Sequence, residues 1–387
     1  MNPRTKVAEL AAAGLEVAAS RGMPAAFVGF DGFIDTITRL VDTRHGMGPA
    51  EYVPITTIEA FAARCAAAAG KSTNIERVPV EDRFGGNGPL MASALAALGA
   101  PTTFVGAIGR EGSPREIHPV FATFAGRCRE ARAICTPSHT MCLEFDDGKL
   151  MLNETGNVQG VTWGGIVDAV GLDWLVTKCG DAKLLGIVNW SLLGGVEGIW
   201  RGLIRDIAPR VVALGGRLPR MFVDLSDPAK RTDSDITAVL ELLQELTRAG
   251  FGVSLGLNLS EAQRLDRVVG TREEAKLGRA GAAIGDAAAA LREAVGLDCV
   301  VIHPREGAGA GTANQASWFD GPLAKKPRLS TGAGDHFNAG FALAHVLGLP
   351  LDQCLAIGCA TSGAYVRDAA SPGLPRVAGL LRNLAEP

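Results

Sequence analysis

The sequence predicts an α/β fold in which a mainly parallel sheet is covered by helices on both faces. Two observations predict it: short apolar segments of strand length recur along the chain, and longer segments with helical periodicity separate them. Strands that alternate with helices form βαβ units with right-handed crossovers and parallel sheets. The chain has 387 residues, 47% of them hydrophobic, which is enough for one large core. We therefore expect 1–387 to form a single domain.

The predicted elements follow one another in a regular order. The short, largely apolar segments that predict buried strands are 25–30, 102–109, 184–190, 220–226, 252–258 and 299–304. The segments between them that predict helices are 89–99, 196–208, 234–249, 260–268 and 281–295. An amphipathic helix precedes the first strand, and the C-terminal part is almost all helix, at 334–347 and 351–366.

Two regions depart from this order. Residues 36–58 mix polar and turn residues with β-branched ones, and residues 138–155 resemble a hairpin in which Asp147-Gly148 supplies the turn. Extended segments outside the βαβ series can pair into a second, smaller sheet. No linker separates them from the rest of the chain, so we expect a β lid attached to the same domain.

The composition excludes several classes of function. The net charge is -3 and the pI is about 6.1, so the chain lacks the basic field with which proteins hold nucleic acid. No apolar run reaches the length of a membrane span, and the N-terminal segment lacks the apolar core of a signal peptide. The eight cysteines and six histidines show no metal-ligand spacing. We expect a cytoplasmic protein that acts on a small molecule.

The segment 329–347, "LSTGAGDHFNAGFALAHVL", carries the most chemical information. Gly332, Ala333 and Gly334 form a glycine-rich turn that opens into a helix, where backbone N–H groups and the helix dipole create an anion hole. Asp335 follows in the first helical turn, where its carboxylate can take a proton from an attacking hydroxyl. The spacing alone leaves a second interpretation open, in which Asp335 only caps the helix.

The same dodecapeptide, "STGAGDHFNAGF", resembles the C-terminal signature of the PfkB/ribokinase family of carbohydrate and nucleoside kinases. The resemblance implies a three-layer α/β/α sandwich of ribokinase type with a small β-sheet lid. It also implies an ATP-dependent kinase with Asp335 as catalytic base and with Gly332, Ala333 and Gly334 as the anion hole.

Two further segments resemble the substrate-binding elements of that family. "FGGNGPLMASALAALGAPTTFVGAIGREG" at 84–112 implies that Gly85, Gly86 and Asn87 hold substrate hydroxyls, although a glycine turn before a helix is also common structural material. "GFDGFIDTI" at 29–37 implies a sugar-binding aspartate, for which Asp35 is the first choice and Asp31 the second. Carboxylates commonly accept hydrogen bonds from sugar hydroxyls.

Other segments concern ATP and Mg²⁺. "NLSE" at 258–261 resembles the family's N-x-x-E element, which implies that Asn258 and Glu261 organise Mg²⁺ and phosphate; a simple helix N-cap is the alternative. The resemblance also makes Gly307, Gly309 and Asn338 candidate ATP contacts. "CAAAAGKST" at 65–73 ends like a P-loop but follows a helical pattern, and "GAGAG" at 307–311 lacks the spacing of a dinucleotide fingerprint.

Two positions depart from the family pattern. Leu329 stands where the family usually has an acidic residue of a monovalent-cation site, which puts potassium activation in doubt. His336 follows the base where a small residue is usual, and it either perturbs Asp335 or points to solvent.

The sequence thus predicts a kinase that transfers the γ-phosphoryl group of ATP to a hydroxyl of a sugar or sugar derivative, with Mg²⁺ as cofactor. A nucleoside kinase is an alternative, but only 5% of the residues are aromatic, which favours a sugar over a nucleobase. A non-catalytic sugar or phosphosugar sensor on the same fold is a second alternative. Family members often pair through their lids, so a homodimer of that kind is an expectation.

Overall fold

The computed structural model describes residues 2–278 and 281–384, and within them the strands form two main sheets and a short hairpin. The strands are β1 (Ala26–Phe30), β2 (Phe33–Arg44), β3 (Tyr52–Pro54), β4 (Arg77–Gly85), β5 (Thr102–Gly106), β6 (Gly109–Arg110), β7 (Ser113–Ile117), β8 (Glu130–Ala133), β9 (Ser138–Phe145), β10 (Gly148–Glu154), β11 (Leu184–Val188), β12 (Arg220–Asp224), β13 (Gly252–Leu257), β14 (Cys299–Ile302), β15 (Gly307–Thr312) and β16 (Ala316–Asp320).

The α-helices within these residues are α1 (Pro3–Arg21), α2 (Ile58–Ala67), α3 (Asn87–Ala97), α4 (Ala122–Ala125), α5 (Gly156–Gln159), α6 (Trp163–Val170), α7 (Leu172–Asp181), α8 (Val196–Gly202), α9 (Ala208–Ala213), α10 (Asp233–Arg248), α11 (Leu259–Val269), α12 (Glu274–Leu277), α13 (Ala282–Val295), α14 (Ala333–Val346), α15 (Leu351–Asp368) and α16 (Leu374–Arg382). Across the described part of the chain, none of the helices combines the length and the hydropathy that a bilayer-crossing segment needs.

The central sheet contains nine strands in the order β16-β15-β14-β13-β12-β11-β1-β5-β8. The seven strands from β14 to β8 are parallel, and β15 and β16 extend the sheet as antiparallel strands. Every residue of β1, β5 and β11 is buried, as expected for a sheet that is covered on both faces. The carboxyl ends of the parallel strands therefore meet along one edge of the sheet.

Two helical layers cover this sheet. On one face α1, α3, α14, α15 and α16 pack together, with buried side chains such as Val28, Phe104 and Phe341. On the other face α6, α7, α8, α10, α11 and α13 pack against residues such as Phe27, Ile187 and Leu255. The result is the predicted three-layer sandwich.

A second sheet, formed by β2, β3, β4, β9 and β10, lies beside the central one. β2 is its central strand and pairs with β4, β9 and β3. β9 and β10 form the hairpin predicted at 138–155, but its two-residue turn is Asp146-Asp147, and Gly148 already pairs with Phe145. The prediction that placed the turn at Asp147-Gly148 is therefore wrong by one residue.

One predicted helix needs correction, and some strands were not predicted. The helix predicted over 196–208 is interrupted by a π-helical segment, Leu203–Ile207, before α9, whose Pro209 has no N–H to donate. β4 and β15 are among the strands that were not predicted. β4 is largely exposed and β15 has the sequence GAGAGT, so neither has the short, strongly apolar run that predicts a buried strand.

Candidate active site

The glycine turn before α14 lies where the central sheet ends. Gly332 is the N-cap of α14 with a φ of 84°, a left-handed conformation that glycine adopts without strain. The Ala333 N–H donates a hydrogen bond to the Ser330 carbonyl at 3.3 Å, so this amide belongs to the turn. The first N–H groups of a helix have no acceptor within it, which leaves the start of α14 able to bind an anion.

Asp335 is buried in the first turn of α14. Its Oδ1 accepts a hydrogen bond of 2.8 Å from Nδ2 of Asn87. Burial raises the pKa of Asp335 well above its usual range, and the negative charges of Asp224 and Asp31 add to the rise. A carboxylate with a raised pKa has a high affinity for a proton, which is what a general base needs.

A cavity of about 280 Å³ opens beside Asp335, and we call it the acceptor cavity. Polar side chains from both sheets line it. The central-sheet side contributes Asn87, Asn189, Asp227, Lys230 and Asp335, and the second sheet contributes Asp35, Thr140 and Asn153. A cavity with this lining is suited to a molecule that carries many hydroxyl groups.

Asp35 and Asp31 have different environments although they are four residues apart. Asp35 lies on β2 and faces the acceptor cavity, and burial raises its pKa to about 6. Asp31 is fully buried: its Oδ2 accepts hydrogen bonds from the Asn87 N–H (2.9 Å) and the Asn189 side chain (2.8 Å), and its Oδ1 accepts one from the Gly88 N–H (2.8 Å). Asp31 therefore holds the start of α3, and the structure does not place it on the cavity wall.

The two glycines before Asn87 make this arrangement possible. A Cβ atom at Gly85 would lie 2.3 Å from Oδ2 of Asp35, so the absence of a side chain leaves room for that carboxylate. Gly86 lines the cavity and has a φ of 96°, which a residue with a side chain rarely adopts. Gly86 therefore shapes the cavity directly, and Gly85 shapes it indirectly by leaving room for the Asp35 carboxylate.

A second cavity, of about 300 Å³, lies on the other side of the 330–334 loop. We call it the nucleotide cavity. Gly307, Ser330, Ala333 and Gly334 line it, together with His303 and Phe337, whose rings contact one another with centroids 4.8 Å apart. The start of α14 therefore separates two cavities, as a site that joins two substrates requires.

Two candidate ATP contacts lie elsewhere. A Cβ atom at Gly309 would lie 2.7 Å from the Gly285 N atom, so Gly309 allows β15 to pack closely against α13 and does not line the cavity. Asn338 is fully buried and donates a 2.6 Å hydrogen bond to Asp224. The prediction that these residues contact ATP is not supported by their positions.

Asn258 and Glu261 form a capping box at the start of α11. Oδ1 of Asn258 accepts from the Glu261 N–H, and Oε2 of Glu261 accepts from the Asn258 N–H. Oε1 of Glu261 accepts a further hydrogen bond of 2.8 Å from the Asp227 N–H. The helix-cap interpretation is thus realised, and the same carboxylate fixes a turn of the acceptor cavity.

Glu261 also carries an unusual charge environment. Burial and, to a smaller extent, the negative charge of the nearby Asp224 raise its pKa to about 8. Burial likewise raises the pKa of Asp224. Among the described residues no group of three or more His, Cys, Asp or Glu side chains is arranged to hold a metal ion by itself. A cation at this place would need ligands from a substrate or from water.

The sequence analysis missed several residues of the site. Asp224 ends β12, and Asn189, Ser226 and Asp227 follow strand ends with left-handed φ values of 73°, 55° and 65°. All four lie at or within three residues after the carboxyl end of a buried parallel strand, where ligands bind in open α/β sheets. Their position at the end of a predicted strand was the available indication.

His336 does not point to solvent, so that expectation for it is wrong, and the side chains that shift the pKa of Asp335 are those of Asp224, Asn87 and Asp31. His336 is fully buried and stacks on Tyr365 with ring centroids 3.6 Å apart. Its Nδ1 donates to the Gly332 carbonyl (2.7 Å), and its Nε2 accepts from the Ser371 hydroxyl (2.9 Å). Burial lowers the pKa of His336 to about 4, so the neutral ring supports the glycine turn.

Comparisons with known proteins agree with this geometry. The model of the prokaryotic ketohexokinase family matches residues 3–384. A curated ketohexokinase from Haloferax volcanii is 33% identical over 346 residues, which are 89% of this chain and 87% of that protein.

Solved structures show the same fold at low sequence identity. A probable sugar kinase from Rhizobium etli matches with a TM-score of 0.62 at 17% identity, over 92% of this chain and 97% of that one. Arabidopsis thaliana ribokinase, solved with ribose and ATP, matches with a TM-score of 0.58 at 17% identity, over 93% and 99% of the two chains. The predicted ribokinase-type fold is therefore confirmed.

Proposed function

The chain belongs to the prokaryotic ketohexokinase family and is an ATP-dependent sugar kinase, and from this premise we propose that its acceptor is a free ketohexose. The observation that carries the proposal is the position of Asp335, which lies at the start of α14 and faces the acceptor cavity, while the 330–334 loop separates this cavity from the nucleotide cavity. The substrate name of the curated relative supports the choice of a ketohexose.

The charge of the acceptor cavity favours a sugar without phosphate. Its charged lining residues are three carboxylates, Asp35, Asp227 and Asp335, and one ammonium, that of Lys230. Lys230 already pairs with Asp227 at 3.5 Å. Like charges repel most strongly where water is excluded, so a phosphorylated sugar would bind here less well than a neutral one.

The proposed reaction is an in-line transfer of the γ-phosphoryl group. Asp335 takes the proton of the acceptor hydroxyl as that oxygen forms a bond to phosphorus, and the bond to the ADP oxygen breaks. The N–H groups at the start of α14 stabilise the negative charge that develops on the phosphoryl oxygens. Asn87 orients the base through its 2.8 Å hydrogen bond, and Asp35 holds sugar hydroxyls.

The residues around Asp224 fit a hydrated Mg²⁺. Burial raises the pKa values of Glu261, Asp335 and Asp224, and the negative charge of Asp224 adds to the rise at the other two, so a cation at this place would be attracted to the acids. Mg²⁺ in kinases is usually held by one or two carboxylates, phosphates and water. When bound, it would neutralise the negative charge of the phosphates. Asp224 and Glu261 are the residues that we propose to hold it.

We further propose that the second sheet acts as a lid on a single domain, with 36–58 and 138–155 as its main parts. β2, β9 and β10 carry Asp35, Thr140 and Asn153 to the acceptor cavity, so opening and closing of this sheet would control access. Closure would exclude water, which otherwise competes with the sugar for the phosphoryl group.

Exposed apolar side chains on the same sheet, Val53, Val80 and Leu152, support a homodimer formed through it. Pairing would remove these side chains from water.

The first experiment measures ADP release from Mg-ATP with ketohexoses, aldohexoses, pentoses, phosphosugars and adenosine as acceptors. We expect turnover on a free ketohexose. In Asp335→Asn, kcat should fall by about 10²–10⁴ because the proton acceptor is lost. Asp146→Asn, in the exposed β9–β10 turn, is the matched control and should behave as the wild type. An Asp335→Asn variant with undiminished kcat would exclude this carboxylate as the base, and turnover restricted to phosphosugars would exclude the proposed acceptor.

A further inference from the structure

Lys149 lies where the lid meets the loop between the two cavities. It belongs to β10, and its Nζ donates hydrogen bonds to the hydroxyls of Ser330, at 3.2 Å, and of Thr331. Ser330 lines the nucleotide cavity, Thr331 lines the acceptor cavity, and Gly332 follows at the start of the anion hole. The ammonium group therefore lies at the boundary that a transferred phosphoryl group has to cross.

The ammonium group of Lys149 forms no direct ion pair. In residues 2–278 and 281–384 its hydrogen-bond partners are two neutral hydroxyls, and the charges of Glu144 and Asp35 act on it without an ion-pair contact. Lys149 is half-buried, and burial lowers its pKa. A cation that is partly removed from water and not directly paired attracts an anion strongly.

The core side of the site has the opposite character. Asp224, Glu261 and Asp335 are buried acids there, and Asp35 adds a further carboxylate on the lid. Lys230, the lysine that lines the acceptor cavity, is engaged with Asp227. Lys149 is therefore placed to supply positive charge to a phosphoryl group from the lid side.

Resting on the proposed function, we propose that Lys149 is a catalytic residue whose ammonium group contacts the transferring phosphoryl group when the lid is closed. Lys149 exchanges no atom with the substrate. The acceptor oxygen bonds to phosphorus, the bond to the ADP oxygen breaks, Asp335 takes the proton, and Lys149 stabilises charge on the phosphoryl oxygens. In the ligand-free state the two hydroxyls of the 330–331 loop hold the ammonium in place.

The test compares Lys149→Met, which keeps the length of the side chain but removes its charge, with Lys149→Arg, which keeps the charge. At saturating ATP and sugar we expect kcat of Lys149→Met to fall by about 10²–10³, the usual cost of removing one donor to developing charge. Lys149→Arg should recover most of this loss. Lys71→Met is the matched control, because Lys71 is exposed on the segment between α2 and β4, and its activity should not change.

Two further measurements separate charge stabilisation from a latch that only holds the lid closed. Binding of Mg-ADP with aluminium fluoride, which mimics the phosphoryl group in transfer, should weaken by about 10²-fold in Lys149→Met, while binding of Mg-ADP alone stays the same. Thr331→Ala removes a docking hydroxyl but keeps the ammonium, so its kcat should change only a few-fold. Equal losses in Thr331→Ala and Lys149→Met would indicate a latch and overturn the proposal.

The outcomes also distinguish this inference from the proposed function. A wild-type protein that turns over no sugar contradicts the proposed function. A wild-type protein that phosphorylates a ketohexose, together with Lys149→Met at an undiminished kcat and a normal melting temperature, contradicts only the role of Lys149. If Lys149→Met melts well below the wild type, the kcat values of Lys149→Arg and Thr331→Ala decide between the two roles. Near-normal kcat in both variants supports the proposal, and a large loss of kcat in Thr331→Ala contradicts it.

Discussion

The two sheets of this protein contribute to the same site in opposite ways. The central sheet is covered by helices on both faces, and the acids at its edge, such as Asp224, Glu261 and Asp335, are buried and carry raised pKa values. The second sheet is partly exposed, and on β10 it carries Lys149, an ammonium group without a carboxylate partner among the described residues. Under the proposed function, the central sheet would supply the base and a site for a cation, and the second sheet would supply sugar contacts and positive charge.

The two sheets also differ in how many buried acids they bring to the site. A buried acid destabilises the free protein, and a well-packed core offsets this cost. The central sheet, which lies between two helical layers, has three such acids at its edge, and the second sheet, whose apolar core around Leu40, Ile55 and Leu143 is small, contributes Asp35.

The strongest test of this comparison uses Asp31, which holds the start of α3, and Asp35, which lies on β2 of the second sheet. In Asp31→Asn, the new amide faces donors that need an acceptor, so we expect unfolding to become easier by about 3 kcal/mol and the melting temperature to fall by several degrees. In Asp35→Asn, we expect kcat/KM for the sugar to fall about 100-fold, because a charge-assisted hydrogen bond to a hydroxyl is lost, while the melting temperature does not fall, because burial raises the pKa of Asp35 and its charge does not stabilise the fold.

Steady-state kinetics and thermal melting of both variants check this prediction. The comparison fails if Asp35→Asn destabilises the protein as much as Asp31→Asn does. It also fails if Asp31→Asn raises the KM for sugar while the stability stays normal.

The same difference determines what could be predicted from the sequence. The strands of the central sheet were predictable because burial on both faces makes them short apolar runs, as in 184–190. β4 was missed because its residues, RVPVEDRFG, alternate between charge and apolar character on an exposed surface and include a proline. The lid was therefore predicted from its hairpin and from 36–58, without its full extent.

Within the site, the arrangement of residues could be predicted where they are neighbours in the sequence, and not where the fold brings distant residues together. The turn at 332–334 and the base at 335 lie together in sequence, so their arrangement could be predicted from the chain alone. The partners of His336, by contrast, include Ser371 and Tyr365, more than 25 residues away, and no local pattern indicates them. Asp224 was missed for the same reason, because its neighbours Asn338 and Glu261 come from other strands and helices.

The dependence of stability on pH gives a second test of the comparison. An acid whose pKa is higher in the folded than in the unfolded protein keeps its proton in the folded state, so stability is lost as pH rises through that interval. For Glu261 the interval runs from its ordinary pKa of 4.5 to about 8, and Asp335 acts in the same direction. Buried histidines such as His336, whose pKa is lowered to about 4, act in the opposite direction below pH 6.5. We therefore expect the melting temperature of the free protein to fall as pH rises from about 6.5 to 8, and Mg²⁺ with a non-hydrolysable ATP analogue to reduce this fall.

Asp335→Asn sharpens this test because it removes one of the acids and keeps the acceptor for Asn87. Its melting temperature should exceed that of the wild type by a few degrees at pH 8 and by less at pH 5. Asp146→Asn, in the exposed turn, should show no such difference. A wild type whose stability rises over this interval would contradict the assignment of buried, protonated acids to the central sheet.

The smallest effect is expected for His336, which supports the glycine turn without touching a substrate cavity. In His336→Ala the Gly332 carbonyl loses the 2.7 Å hydrogen bond from Nδ1, so the anion hole is held less firmly, and we expect kcat to fall about tenfold with the KM for sugar unchanged. Ser371→Ala removes only the partner of Nε2 and should lower kcat by no more than a few-fold. A residue that only positions the anion hole acts on the phosphoryl transfer step and not on sugar binding. A His336→Ala variant with a raised KM for sugar and a normal kcat would therefore contradict this role and indicate that His336 supports the acceptor cavity.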